Sequence, residues 1–257
     1  MTMTFFSYKA YIHAKVYEKT TASLILEMDA KKVAELRLKE IAEKFSFGLY
    51  QNDKKKKLDA LRNNAQESKN KSLDYTLYAM LCLFVFLLSY FMLSLRVFTF
   101  FGATAAISML IFGLITPIMM VTIHKDVEYL GDVVLSFESK GILGSISKLY
   151  ENGDVVVAVV ILLFSVLIPI VKTVSLGFVA LFIKSDFAHG IVKFFKAIGK
   201  WSMVDVFVVA TFLVYLTVDK GDISRAEVEV GLYFFLAYVI VSMLVSLSAD
   251  KMLHNKN

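Results

Sequence analysis

The sequence predicts an all-α membrane protein, a bundle of about five transmembrane helices, and three observations lead to this prediction. Hydrophobic residues make up 57% of the 257 residues. The mean hydropathy of +0.64 lies far above the range of soluble domains. Only 12 glycines and 2 prolines occur, which favours long uninterrupted helices, the structure that satisfies its own backbone hydrogen bonds in lipid.

Five apolar stretches define the predicted spans. Each is close to or above the roughly 20 residues that cross about 30 Å of hydrocarbon. The third is the longest, so it has room to tilt or to extend beyond the bilayer. The stretches cover residues 75–95, 97–121, 155–183, 201–218 and 230–248.

The polar residues 1–72 form an arm that precedes the spans. Within it, apolar residues recur at helical spacing in a charged background, which predicts a solvent-exposed amphipathic or coiled-coil helix. A partly ordered arm without a partner is the alternative. The apolar residues are Ala34, Leu38, Ile41, Phe45 and Leu49. The predicted organisation is an arm (1–72), an additional transmembrane helix (73–96), a four-helix membrane module (97–250) and a cytoplasmic tail (251–257).

The orientation follows from the lysines of segment 184–200. This segment carries four lysines against Asp186, whereas acids outnumber bases in 122–153 and 219–229. Because short cytoplasmic loops carry the excess of Lys and Arg, we expect 184–200 and the C-terminus in the cytoplasm. An apolar face opposite the lysines predicts a helix lying on the inner leaflet, with Trp201 as an interfacial anchor. An ordinary loop helix packed on its neighbours is the alternative.

Counting back through five crossings places the arm outside, although the basic run Lys54–Lys57 would favour the inside. Either the first two stretches form a shallow hairpin around Arg96, or the arm is exported by an upstream anchor that this sequence does not include. We favour export, because a long soluble arm is tolerated outside.

An extramembrane element is predicted after the second stretch. Pro117 is expected to kink that helix near its outer end. In the segment 118–137, β-branched residues alternate with polar ones. This alternation predicts a short strand or β-hairpin outside the membrane.

Two charges, Lys172 and Asp205, lie well inside apolar stretches. On insertion scales, each costs roughly 2.5–3.5 kcal/mol near the bilayer centre, so both should face the interior of the bundle. The third and fourth stretches are antiparallel neighbours, which makes a Lys172–Asp205 pair a reasonable prediction. Helical spacing places Ser165 on the face of Lys172 and Ser202 on the face of Asp205.

Further polar groups could extend this pair. Pro169 lacks an N–H, so it should kink the helix and leave the Ser165 carbonyl without its helical donor. In the last span Ser242 and Ser246 share a face and could close a polar ring. Such a chain of groups is what a proton relay or a polar substrate site requires. A buried salt bridge that only fixes helix packing is the alternative.

Several other classes of protein are disfavoured. The single cysteine, Cys82, excludes an intrachain disulfide and a multi-thiolate metal site. The chain has no Gly-rich phosphate loop, nucleophile elbow or paired catalytic carboxylates, so we predict neither an enzyme nor a metal or other cofactor. The formal charge of +5 comes mainly from the arm and the edges of the spans. This distribution indicates anionic lipid headgroups rather than nucleic acid.

From about residue 98 to 250 the order of motifs resembles the paraquat-inducible protein A family. The resemblance rests on the segments 165–172 and 199–209 and on Ser242 and Asp250. It implies an inner-membrane, proton-driven component of a phospholipid transport system in the Gram-negative envelope. Its expected partner is a periplasmic tunnel protein made of mammalian-cell-entry (MCE) domains. The residues carried over as a polar network are Ser165, Lys172, Ser202, Asp205 and Ser242.

The chain also departs from the family pattern. Members with zinc ribbons carry Cys-x-x-Cys pairs, which are absent here, and one membrane module is visible where members often have two. Residues 1–95 match no recognised pattern, and the oligomeric state stays open. The alternative function is a structural or assembly subunit that anchors a periplasmic partner without transporting anything.

Overall fold

The computed structural model describes residues 1–27, 53–127, 131–181, 190 and 224–254. Within these residues, four helical segments are long and apolar enough to cross a membrane: Lys56–Phe91, Leu95–Ile115, Val155–Leu181 and Val230–Met252. They confirm the prediction of an all-α membrane protein. Three predicted features lie outside the described residues: the span 201–218, the helix 184–200 apart from Gly190, and the arm pattern at residues 34–49.

The described residues form seven α-helices and three strands. A 3₁₀ turn at Ser89–Phe91 follows α2, and a π-helical turn at Leu163–Leu167 joins α5 to α6. In chain order the elements are α1 (Thr2–Glu27), α2 (Asp53–Leu88), α3 (Leu95–Ile115), β1 (Met119–Val127), β2 (Gly131–Lys140), α4 (Ile142–Glu151), α5 (Val155–Leu162), α6 (Ile168–Leu181), β3 (Ser224–Val228) and α7 (Val230–His254).

Helices α1 and α2 form an antiparallel pair, which we call the N-terminal hairpin. Small buried residues face one another along the contact and allow the backbones to approach closely. The Ser72 hydroxyl donates to the Ala10 carbonyl at 3.0 Å, and His13 stacks on Tyr75 with ring centroids 5.5 Å apart. Because α2 is one continuous helix, the polar arm runs without a break into the first predicted span.

The core of the bundle is the antiparallel pair α3 and α7. A Cβ at Gly113 would lie 2.9 Å from the Phe235 amide nitrogen, so the two backbones are almost in contact there. Near the other end of the pair, the Thr99 hydroxyl donates to the Ser248 hydroxyl at 3.0 Å. Small residues at close contacts and hydroxyl bonds between helices are typical of packing in membranes, where lipid removes the hydrophobic drive for association.

Pro117 ends the second span instead of kinking it, which corrects the sequence-based expectation. Helix α3 stops at Ile115, and Thr116 is already extended with a ψ of 145°. The physical reason is that a residue before proline is disfavoured in the helical region. The Pro117 carbonyl accepts a hydrogen bond from the Gly231 N–H at 2.9 Å and so joins the end of α3 to the start of α7.

A three-stranded antiparallel sheet with the order β2-β1-β3 caps this end of the bundle. The predicted hairpin is confirmed as β1 and β2, with Met119 opposite Lys140. The third strand was not predicted. It pairs with β1 from Met119 opposite Val228 to Ile123 opposite Ser224.

Gly231 provides a test of the α3–α7 junction. A Cβ at this position would lie 2.5 Å from the carbonyl oxygens of both Thr116 and Pro117. We therefore expect Gly231→Ala to lower the melting temperature of the purified protein in detergent, because overpacking of this kind costs about 1–3 kcal/mol.

Gly144→Ala is the matched control, since Gly144 lies in α4 and a Cβ there meets no atom within 4 Å. Alanine is preferred to glycine in a helix by about 1 kcal/mol, so this variant should melt no lower than the parent. Equal melting temperatures for the two variants would show that the junction is not tightly packed.

Candidate functional site

Lys172 lies on the packed face of α6, and its side chain is only 9% exposed. The buried residues of this helix recur at helical spacing and form one stripe, which includes Pro169, Thr173 and Leu176. Its outward residues, such as Val171, are exposed to the surroundings of the bundle. The lysine therefore points into the protein, as the sequence predicted from the cost of a charge in hydrocarbon.

The level of Lys172 in the bundle follows from the pairing of α6 with α3. The Arg96 guanidinium donates to the carbonyls of Ala180 (2.8 Å) and Leu181 (3.0 Å), which fixes one end of this pair. About one helical turn along α6 from Ala180, a Cβ at Gly177 would lie 3.6 Å from the Ala103 Cβ. Continued in this direction, the pairing brings Lys172 to the level of the middle of α3.

Ser242 lies at the same level on α7. The contacts between Thr99 and Ser248 and between Gly113 and Phe235 set the pairing of α3 with α7 and place Ser242 opposite the middle of α3. Its side chain is 2% exposed, and its hydroxyl has no hydrogen-bond partner among the described residues. A buried hydroxyl costs about 1–3 kcal/mol when it has no partner, so Ser242 is a polar group that the apolar interior disfavours.

The helix that carries Lys172 changes its hydrogen bonding just before Pro169. Residues Leu163–Leu167, which include Ser165, form a π-helical turn, and the Thr173 hydroxyl then donates to the Pro169 carbonyl at 2.8 Å. Single π-helical turns occur frequently at functional sites. A kink at Pro169 stays a prediction.

The remaining predicted site residues, Ser202, Asp205 and Trp201, lie outside the described residues. The Lys172–Asp205 pair therefore stays a prediction. Sequence reasoning missed Ser108 on α3, whose hydroxyl is also buried without a partner among the described residues. No pattern in the sequence indicated this, because a single serine in an apolar helix usually donates its hydroxyl hydrogen bond to a backbone carbonyl of its own helix.

Within the described ranges, no group of three or more His, Cys, Asp or Glu side chains is placed to hold a metal ion. The features that define this site are a buried lysine, buried hydroxyls and a π-helical turn, all inside a bundle of apolar helices.

Together these features define a multi-pass membrane protein with a polar site in its interior and a small sheet at one end of the bundle. The sequence model of the family described as "Paraquat-inducible protein A" matches residues 98–255, which is more than half of the chain. The chain belongs to the paraquat-inducible protein A family.

Curated relatives agree with this assignment. The intermembrane transport proteins PqiA of Escherichia coli K12, E. coli O6:H1 and Shigella flexneri are each 29% identical to the chain over 115 residues. The match covers 42% of this chain and 27% of each relative, so the chain corresponds to only part of those proteins. No solved structure matches it.

Proposed function

We propose that this chain is a non-enzymatic inner-membrane component of a system that moves phospholipid, or another hydrophobic molecule, across the bacterial envelope. Membership of the paraquat-inducible protein A family supports this proposal. The names of its relatives, intermembrane transport proteins, support it too. The observation that carries it is the burial of Lys172 at the level of the middle of α3.

A lysine at this depth is expensive unless polar groups surround it, and intramembrane charges typically mark transport pathways or proton relays. In the proposed mechanism Asp205 is the counter-charge of Lys172. Protonation of the carboxylate would weaken its attraction to the ammonium and so loosen the contact between two spans. Lipid entry between the helices would then be linked to proton binding, and by reciprocity lipid binding would change the proton affinity.

The sheet and the polar end of the N-terminal hairpin, where α1 ends and α2 begins, are proposed to face the periplasm. Tyr17 of α1 donates to Glu227 of β3, so the hairpin and the sheet lie at the same end of the bundle. The opposite end carries the Arg96 contact with Ala180 and Leu181, and the chain then continues into the Lys-rich segment 184–200. Lysine-rich loops stay in the cytoplasm, which supports a cytoplasmic C-terminus.

A periplasmic MCE-domain protein is the proposed partner, and it would dock at the sheet end. The same end also supports the second candidate function, a subunit that anchors such a partner and moves nothing. At this end, the ion pair between Lys69 and Glu227 joins the N-terminal hairpin to the sheet. The two elements together would provide the surface on which the partner docks.

The lipid and the partner can be identified together. We expect gentle detergent extraction of the full chain to retain a phospholipid and a tunnel-forming MCE-domain protein, detected by mass spectrometry. Retention of the partner without lipid would favour the anchor, and retention of neither would contradict both functions.

Loss of charge at Lys172 separates transport from anchoring. In cells that carry each variant as the single copy, we expect Lys172→Met and Asp205→Asn to slow transfer of pulse-labelled phospholipid between the two membranes. A decrease of about tenfold or more corresponds to about 1.4 kcal/mol or more of lost stabilisation of the rate-limiting state.

Val171→Met is the matched control, because Val171 precedes Lys172 and is exposed on the outer face of α6. It should leave transfer unchanged. If Lys172→Met is folded, by its melting temperature in detergent, and transfers lipid at the parental rate, the proton-linked role of this site is wrong.

The topology can be tested on intact spheroplasts. Protease added outside should cleave the segment between α1 and α2, because the polar end of the N-terminal hairpin is proposed to be periplasmic. A periplasmic and a cytoplasmic marker protein, digested and spared respectively, control for access. Full protection of the hairpin until the spheroplasts are lysed would reverse the proposed orientation.

A further inference from the structure

A charged cluster joins the N-terminal hairpin to the sheet at the end of the bundle remote from Arg96. The Lys69 ammonium lies 2.5 Å from Glu227 Oε2, and the Tyr17 hydroxyl donates to the same oxygen at 3.3 Å. The ammonium also lies 5.5 Å from the centroid of the Tyr17 ring. Three elements, α1, α2 and β3, therefore meet through these side chains.

Glu229 lies at the centre of this joint, between β3 and α7. Its backbone N–H donates to the Ile118 carbonyl at 2.8 Å, which holds the residue between the sheet and the bundle. Its side chain is 5% exposed, whereas that of Glu227 is 51% exposed. Glu229 Oε1 is buried with no hydrogen-bond partner among the described residues.

The surroundings of Glu229 favour its neutral form. The pKa of its carboxyl is raised from the ordinary 4.5 to about 7, mainly by burial; the Lys69 ammonium opposes this rise, and the carboxylates of Glu227 and Glu18 add to it. Among the described residues, the titratable groups that face it are Tyr17 and Glu18 on α1, Lys69 on α2 and Glu227 on β3. Burial also raises the pKa of Tyr17 to about 12, so this hydroxyl stays a donor throughout the neutral range.

We propose that Glu229 is a proton-binding site that controls the docking of the N-terminal hairpin on the sheet. The neutral carboxyl fits a dry joint that leaves one of its oxygens unpaired. The carboxylate requires water or a second cation, because Lys69 is already bound to Glu227. Ionisation of Glu229 therefore favours separation of α1 and α2 from β3, which would admit water to the carboxylate.

The direction of the pH dependence follows from linkage. The docked form binds the proton more tightly than the open form, in which the carboxyl returns to its ordinary pKa. The resulting stabilisation of the docked form is fully present below about pH 4.5 and is lost as the pH rises through about 7. The hairpin is thus held more firmly in an acidic compartment than in an alkaline one.

This site is separate from the one around Lys172. Glu229 precedes the first residue of α7, whereas Lys172 lies at the level of the middle of α3. Tyr17 and Lys69 lie outside residues 98–255, the part that matches the family.

Hydrogen–deuterium exchange on the purified full chain in detergent tests the proposal. After correction for intrinsic exchange rates, residues 1–27 should open several-fold more readily at about pH 8 than at about pH 5.5. In Glu229→Gln, which keeps the shape of the side chain but has no proton to lose, this difference should vanish. Glu67→Gln is the matched control: Glu67 is an exposed carboxylate of α2 paired with Lys71 and takes no part in the cluster around Glu229, so this variant should retain the difference.

A second variant keeps the test independent of whether Glu229→Gln folds. Lys69→Met removes the ammonium that opposes proton binding, so the midpoint of hairpin opening should move to higher pH. In parallel, infrared difference spectra of the parent between the two pH values should show loss of a protonated carboxyl, a band absent in Glu229→Gln. An unchanged midpoint in Lys69→Met, a pH-independent parent or a pH dependence that survives in Glu229→Gln would each overturn the proposal.

Discussion

The close antiparallel packing of α3 against α7 is the constraint on which the rest of the structure depends. Gly113 and Gly231 remove the side chains that would keep the backbones apart, and a Cβ at Gly102 would lie 2.5 Å from Val245 Cγ2. This pair determines where the sheet forms, because β1 follows α3 after a short turn and β3 ends just before α7 begins. The strand pairing of β1 with β3 continues the pairing of the two helices beyond the span.

The same packing determines which polar groups meet inside the bundle. Lys172 and Ser242 come from helices far apart in the chain, and their common level is defined only by how α6 and α7 each lie on α3. Hydrocarbon gives a buried charge or hydroxyl no solvent partner, so such groups are stable only where neighbouring helices shelter them. Bringing them to one level is therefore a property of the assembled bundle.

The N-terminal hairpin adds a second assembly at the sheet end. Its helices pack through small residues such as Ala10 and Ala14, and it contacts the sheet through Tyr17 and Lys69. Since the ion pair between Lys69 and Glu227 is partly exposed, it contributes little stability by itself. The buried Glu229 at the same joint has the larger electrostatic consequence, because an ionised carboxylate is far more costly in a dry site than in water.

The sequence by itself determined the membrane class and the four described spans, because the length and hydropathy of a stretch are local properties that decide whether it can cross the bilayer. It also determined that Lys172 faces inward, since the cost of a charge in hydrocarbon leaves no stable alternative. It assigned Pro117 to a kink, however, because the pattern does not distinguish a proline inside a helix from one just beyond its end. Strand β3 was not predicted either, because three of its five side chains are charged or polar and give no strand pattern. These residues form a strand only because the packing of α3 on α7 brings β1 beside them. Glu229 had no local signal, because a glutamate before an apolar span is usually solvated. Only the tertiary structure, by bringing α1 and α2 beside it, decided that it is buried.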